Sequence, residues 1–261
     1  MNRKIMTYIV ASLAVMLLSV CSMKAQIVNY VAYDSLLQKN VVNGKVYYNG
    51  FRKMMFEEFI YSLYSIHPEE MSKNDQLAFW LNAYNAFVIH SVKNYGELKS
   101  PKNKVGFFDF DKFEVAGMTL TLNKIENDMI LPLFNTYLVH FGLVCAANDC
   151  PNLPAKAYCG ATVRQQLEQN GRDFVRSPKG AQLDRENKKL RISQIFNWYR
   201  RDFEMGGKKL IDIIALYAKP EDAEFIKKNK ADITIEFMEY DWSLNGTATA
   251  PPPVTVQPFC K

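Results

Sequence analysis

The sequence predicts an α+β fold: one domain with a buried central helix packed on a small antiparallel or mixed sheet, and several helices around it. Three observations carry this expectation. Gln76 to Tyr95 runs without Pro or Gly and is apolar nearly all round, as a fully buried helix is. Short strand-like segments flank turn dipeptides such as Asn43-Gly44 and Ala116-Gly117, too short to build a large sheet. Finally, 48% hydrophobic and 23% charged residues over 261 positions is an ordinary globular composition, which excludes disordered, collagen-like and coiled-coil classes.

From the N-terminus, Arg3 and Lys4 precede an apolar run from Ile5 to Val20, and Ala25 offers a small residue for cleavage. This pattern predicts a secretory signal peptide over residues 1–25, and so an exported protein, periplasmic or extracellular. A membrane anchor would need a longer run. A lipoprotein signal acylated at Cys21 is the second alternative, disfavoured by the bulky Val20. Arg3, Lys4 and Lys24 account for three of 32 basic residues, so 29 face 27 acidic ones in the mature chain. Such a balance leaves no footprint for nucleic acid.

The mature chain then reads in order. Ile27 to Gln38 suits a short helix, Lys45 to Tyr48 a short strand, and Phe51 to Ile66 a helical repeat. Ser72 caps the long buried helix and Gly96 ends it. Phe107 to Phe113 is expected to be extended, and residues 113–120 to form a hairpin. Thr121 caps a helix running to Leu131, where Pro132 interrupts. Tyr137 to Ala146 is predicted as a fully buried strand. A helix over Thr162 to Val175, a hairpin over Gln182 to Ile192 and helices at 193–199, 209–218 and 221–228 follow, before a last strand at 233–237. No repeat or linker interrupts residues 26–245, which form one globular domain; residues 246–261 are a Pro-rich tail expected to be loose.

Chemistry enters where polar residues interrupt predicted core. Asn82 and Asn85, three apart, share one face of the buried helix with Tyr84 nearby. They either pin neighbouring loop backbone or line a binding site, since a buried amide must find partners. Glu126 lies on a short helix flanked by Asn127 and Asp128, polar company usual for a solvated face. His140 lies inside the predicted strand and Cys145 follows five residues later. A base and a thiol together permit covalent chemistry, although an odd separation on a strand puts them on opposite faces. Phosphate-loop, zinc-helix and nucleophile-elbow patterns are missing from the sequence, and no cofactor is expected. Removal of the leader leaves Cys145, Cys150, Cys159 and Cys260, an even set that invites disulfides on export. Cys159 is expected to pair with Cys260 and tether the tail, with Cys150–Cys159 as the rival pairing.

Several segments together resemble the bacterial and plant family called domain of unknown function 547. They are Leu36 to Tyr48; the Phe79-Trp80-x-Asn82-x-Tyr84-Asn85-Ala86 stretch; Leu122 to Glu126; His140 to Pro151; Ser193 to Tyr199 with Asp202-Phe203; and Tyr240 to Asn245. The resemblance singles out Asn82, Tyr84, Asn85, Glu126, His140, Cys145, Cys150 and Pro151 as motif positions, and implies no assigned activity. One departure is Asn127, where the family usually shows His after Ile-Glu.

Three functional expectations follow. The first is a cysteine-dependent hydrolase or acyl-transferase with Cys145 as nucleophile, His140 as base, Glu126 or Asn85 orienting the His, and Asn82 helping to hold an oxyanion. The second is a non-catalytic envelope module whose pocket, with Asn82, Asn85 and Cys150, binds a small molecule, peptide or glycan. A metal site at Glu126, His140 and a thiolate is the third and weakest.

Overall fold

The computed structural model describes residues 30–260; the expected signal peptide at 1–25 lies outside the described residues. The chain forms a single α+β domain. Helix α1 (Val31–Asn40) leads into a minimal hairpin, β1 (Val41–Val42) and β2 (Lys45–Val46), and then α2 (Met54–Ser62).

The long helix α3 (Lys73–Tyr95) forms the centre. Ser72 Oγ accepts from the Asp75 N–H at its start, and Gly96, at φ 73°, ends it. A continuous run from Gln76 to Ile89 is buried, because helical neighbours pack on every side of it. Phe87 also stacks on Phe113 of the hairpin β3 (Phe113–Val115) and β4 (Met118–Leu120), with ring centroids 4.5 Å apart. That hairpin turns at Ala116 and Gly117, φ 52° and 69°, the paired positive angles of a type I′ turn.

Thr121 Oγ1 accepts from the Lys124 N–H and opens α4 (Leu122–Lys124). The helix then widens into a π-helix, Ile125–Ile130, before α5 (Leu131–Phe134). Pro132 therefore sits in the first turn of α5, directly after the π-helical turn, instead of ending the helix. Phe107 to Asp111 is a set of turns closed on the Gly106 carbonyl, not an extended segment.

The largest correction concerns Tyr137 to Ala146. Tyr137–Phe141 is a 3-10 helix capped by Thr136, and residues 142–145 follow in irregular backbone, so there is no strand. A run of unbroken apolar residues has no period to separate buried strand from buried helix, and among the described residues no strand pairs with this one.

Beyond it come α6 (Val163–Val175), a hairpin of β5 (Ala181–Asp184) and β6 (Lys189–Ile192), and short helices α7 (Ile195–Trp198) and α8 (Arg200–Phe203). Helices α9 (Leu210–Tyr217) and α10 (Pro220–Lys228) precede β7 (Thr234–Phe237), which joins β6 in parallel and makes a mixed three-stranded sheet.

The C-terminal segment is docked, not loose. Thr247 donates its N–H to Val46 O, and Gln257 exchanges two hydrogen bonds with the Gln38 side chain, at 2.7 and 2.9 Å. Phe259 packs on Tyr30, and Cys260 is joined to Cys159. Among the described residues no helix is long and apolar enough to cross a membrane.

Candidate functional site

Residues 142–160 carry almost no regular structure, yet most are buried. Buried backbone groups need partners, and side chains from the surrounding helices supply them. Asn85 donates to Gly142 O at 2.8 Å and accepts from the Val144 N–H at 3.0 Å. Asn82 does the same for Tyr158, donating to its carbonyl at 2.9 Å and accepting from its N–H at 2.8 Å. Asp34 accepts from Ala157 N–H, and Gln166 bridges Ala157 O and Cys159 N–H. The two asparagines thus pin loop backbone. Neither lines the cleft described next, and the Asn82 amide, already donating to Tyr158 O, is not placed as an oxyanion donor.

The loop so held forms one wall of a cleft of about 400 Å³. Glu126, His140, Cys145 and Cys150 all reach it, arriving from the π-helix, the 3-10 helix and the irregular loop. With Tyr84, which also lines it, five of the motif positions therefore converge. Their roles differ from those expected.

Glu126 is buried, not on a solvated face. The π-helix that carries it shifts the side-chain register inward, a feature often found at functional positions. Its Oε1 accepts from the Tyr199 hydroxyl at 2.6 Å, and Tyr84 also hydrogen-bonds to it. Burial pushes the Glu126 carboxyl above the usual range; the two hydroxyls pull it back only in part, and the Asp202 charge adds to the rise. Burial holds the Tyr84 and Tyr199 hydroxyls well above the ordinary tyrosine value, so both remain donors.

His140 is oriented by Asp202 on α8, with Nε2 and Oδ2 2.8 Å apart, and not by Glu126 or Asn85. The Tyr199 ring lies over the imidazole at 3.9 Å between centroids. Burial lowers the imidazole to about 4, against the opposing pull of the Asp202 carboxylate. The ring is therefore neutral at pH 7. Tyr199 and Asp202 stand three apart, so the turn joining α7 to α8 presents both toward His140; that spacing was the readable signal for Asp202.

Cys145 and Cys150 form a disulfide, with Cα atoms 6.4 Å apart. Cys145 is then not a free nucleophile, and Cys150 enters the site as its partner. The donor set of the metal reading loses its thiolate in the same way, and among the described residues no group of three or more His, Cys, Asp or Glu is arranged to hold a metal ion.

The rest of the cleft was not foreseen as a site. Trp198, Tyr240 and Trp242 meet pairwise, with centroids 4.8, 5.6 and 4.8 Å apart, and Trp198 keeps 47% of its surface exposed. Lys102 Nζ sits 3.9 Å from the Trp242 ring. Asp109, Asn123 and Asn127 form a chain of hydrogen-bonded polar side chains along the same cleft. Asn127 thus stands in the cleft at the position where the resembled family usually shows His.

Neither a curated protein nor a solved structure matches the chain. A family model does, over residues 68–175, a span that contains α3, Glu126, His140 and both cysteines of the cleft disulfide. The remaining cleft residues, Ile195, Trp198, Tyr199, Tyr240 and Trp242, lie outside it, as does Asp202, the partner of His140. That model is the one described as Protein of unknown function, DUF547, and it is residues 68–175 that are similar to this family.

Proposed function

We propose that this is an exported protein whose cleft binds a glycan without transforming it. The observation that carries the reading is the aromatic platform of Trp198, Tyr240 and Trp242 in one cleft with the polar chain Asp109–Asn123–Asn127. A sugar ring has apolar C–H faces that lie on aromatic rings and hydroxyl edges that need donors and acceptors, and mostly apolar pockets with a few placed polar groups select such molecules. Glu126, buried between two phenols that donate to it, adds a further hydrogen-bonding group at the cleft floor. The leader-like pattern at residues 1–25 and the two disulfides both favour an oxidising compartment. A thiol-dependent hydrolase would need Cys145 released from Cys150, whereas binding needs no such step.

The test is direct, because two of the three tryptophans are in the cleft and the third, Trp80, is buried in the core. Titration of the mature protein with amino-sugar and neutral oligosaccharides should change its tryptophan fluorescence saturably. Trp242→Ala should weaken that binding at least about tenfold, the loss usual for an aromatic anchor. Saturable binding of a peptide panel with none of any oligosaccharide would assign the cleft to peptides and reject the glycan reading.

A further inference from the structure

The disulfide in the cleft has surroundings that a merely structural cross-link does not need. Both sulfurs line the cavity, but unequally: Cys150 is buried and Cys145 only half-buried. Two donors already point at the buried sulfur. The Cys145 N–H lies 3.0 Å from Cys150 Sγ, and the Tyr240 hydroxyl lies 3.2 Å from it. The same hydroxyl is 3.6 Å from Cys145 Sγ. A neutral disulfide sulfur is a weak acceptor and gains little from two donors. A thiolate gains much more, because hydrogen bonds to an ionised group are about twice as strong as neutral ones. The arrangement is therefore complementary to what Cys150 becomes when the S–S bond breaks. The other disulfide, Cys159–Cys260, lies at the tail and does not line this cleft.

We infer that Cys145–Cys150 is an exchange-active disulfide that accepts thiols in the cleft, with Cys145 as the attacked sulfur and Cys150 as the leaving thiolate. A substrate thiol enters as its thiolate, its proton having gone to solvent. Its electron pair forms a bond to Cys145 Sγ while the Cys145–Cys150 bond breaks and its pair moves onto Cys150 Sγ. That charge is received by the Cys145 N–H and the Tyr240 hydroxyl. A second thiolate then attacks the substrate sulfur of the mixed disulfide, releasing Cys145 as thiolate and the substrate as a disulfide. Two thiols are oxidised and one protein disulfide is reduced, so the electrons balance within one turnover. Rates of such exchange depend on which sulfur can be reached and on how well the leaving thiolate is stabilised, and here both conditions select the same direction.

The experiment uses the folded, oxidised mature protein with excess glutathione, quenched by acid at intervals, alkylated, and mapped by mass spectrometry. Exchange should place glutathione on Cys145 and the alkyl label on Cys150. Tyr240→Phe should slow the appearance of free Cys150 by about tenfold, the worth of one hydrogen bond to a charged group, and should shift the alkylation pH profile of Cys150 upward in the reduced protein. Glutathione found on Cys150, or exchange seen only after denaturation, would overturn the assignment; neither readout depends on a variant. An unchanged rate and pH profile in Tyr240→Phe would remove the role given to the hydroxyl. The probe is a small thiol, so the outcome is independent of whether any oligosaccharide binds.

Discussion

At the scale of single residues, the cleft sets two acid–base groups away from their ordinary values in opposite directions. Burial raises Glu126 and lowers His140, because each loses water that would stabilise its charged form. The consequences for stability have opposite signs. An unfolded His charges below about 6.5, whereas the folded ring resists protonation down to about 4. Between those values the unfolded state binds more protons, so this residue's contribution is present above pH 6.5 and is lost as pH falls toward 4. Glu126 acts the other way: above the ordinary carboxyl value the folded state keeps a proton that the unfolded state has released, so its contribution declines as pH rises through its raised value. Because the two slopes oppose each other, the ring itself is the better observable. Heteronuclear NMR should show His140 neutral at pH 5.5 with a midpoint near 4, and Asp202→Asn should lower it further by removing the carboxylate that favours the charged form. A midpoint at or above 6.5 would contradict the burial argument.

Among the elements, the contrast is between pieces that are specified locally and pieces that are not. The β3–β4 hairpin is local: its turn needs two positive φ angles, and Gly117 supplies one of them. A Cβ built at Gly117 meets nothing within 4 Å, so the cost of Gly117→Ala is backbone strain alone. That substitution should destabilise the protein by roughly 1 kcal/mol, read as a shift in denaturant midpoint with an unchanged slope. A stability equal to wild type would show that the turn relaxes. Helix α3 is also locally legible, through Ser72, Gly96 and the absence of breakers. The 3-10 helix at Tyr137–Phe141 is not. Its apolar run fits a buried strand equally well, and Gly142 follows where the backbone comes too close to Leu167 and Tyr158 for a Cβ to fit unaided. What decides that segment is the Asn85 side chain reaching from a helix more than fifty residues earlier in the chain.

For the whole molecule, the ends of the described chain are tied together. Cys159 and Cys260 are 101 residues apart in sequence, and their Cα atoms are 5.5 Å apart. Gln257 and Phe259 add contacts to Gln38 and Tyr30, near the two ends of the N-terminal helix. Closing so long a loop limits the unfolded ensemble, and on chain-entropy grounds it contributes up to about 4–5 kcal/mol before strain and residual structure reduce it. Cys260→Ser should therefore lower stability in chemical denaturation by at least about 2 kcal/mol, and should make the peptide bonds of residues 248–256 accessible to proteases. A variant as stable and as resistant as wild type would show that the non-covalent contacts alone hold the segment.

By itself the sequence determined the α+β class, the long central helix and its limits, the hairpins, and the polar residues that had to be accounted for. It could do so because capping, turn chemistry and periodicity act between residues close in the chain. The tertiary structure alone decided what those polar residues do. Asn82 and Asn85 serve buried backbone because an irregular loop happens to pass them. Glu126 is buried because Tyr84 and Tyr199 close over it from two other elements. His140 takes Asp202 as its partner, and Cys145 takes Cys150, because a 3-10 turn and an irregular loop replaced the expected strand. The aromatic platform joins α7 to residues 240–242 across some forty positions of sequence. A hydrogen bond or ring contact between distant segments leaves no period in either one, and burial, which shifts both acid–base groups in the cleft, is a property of the assembled core.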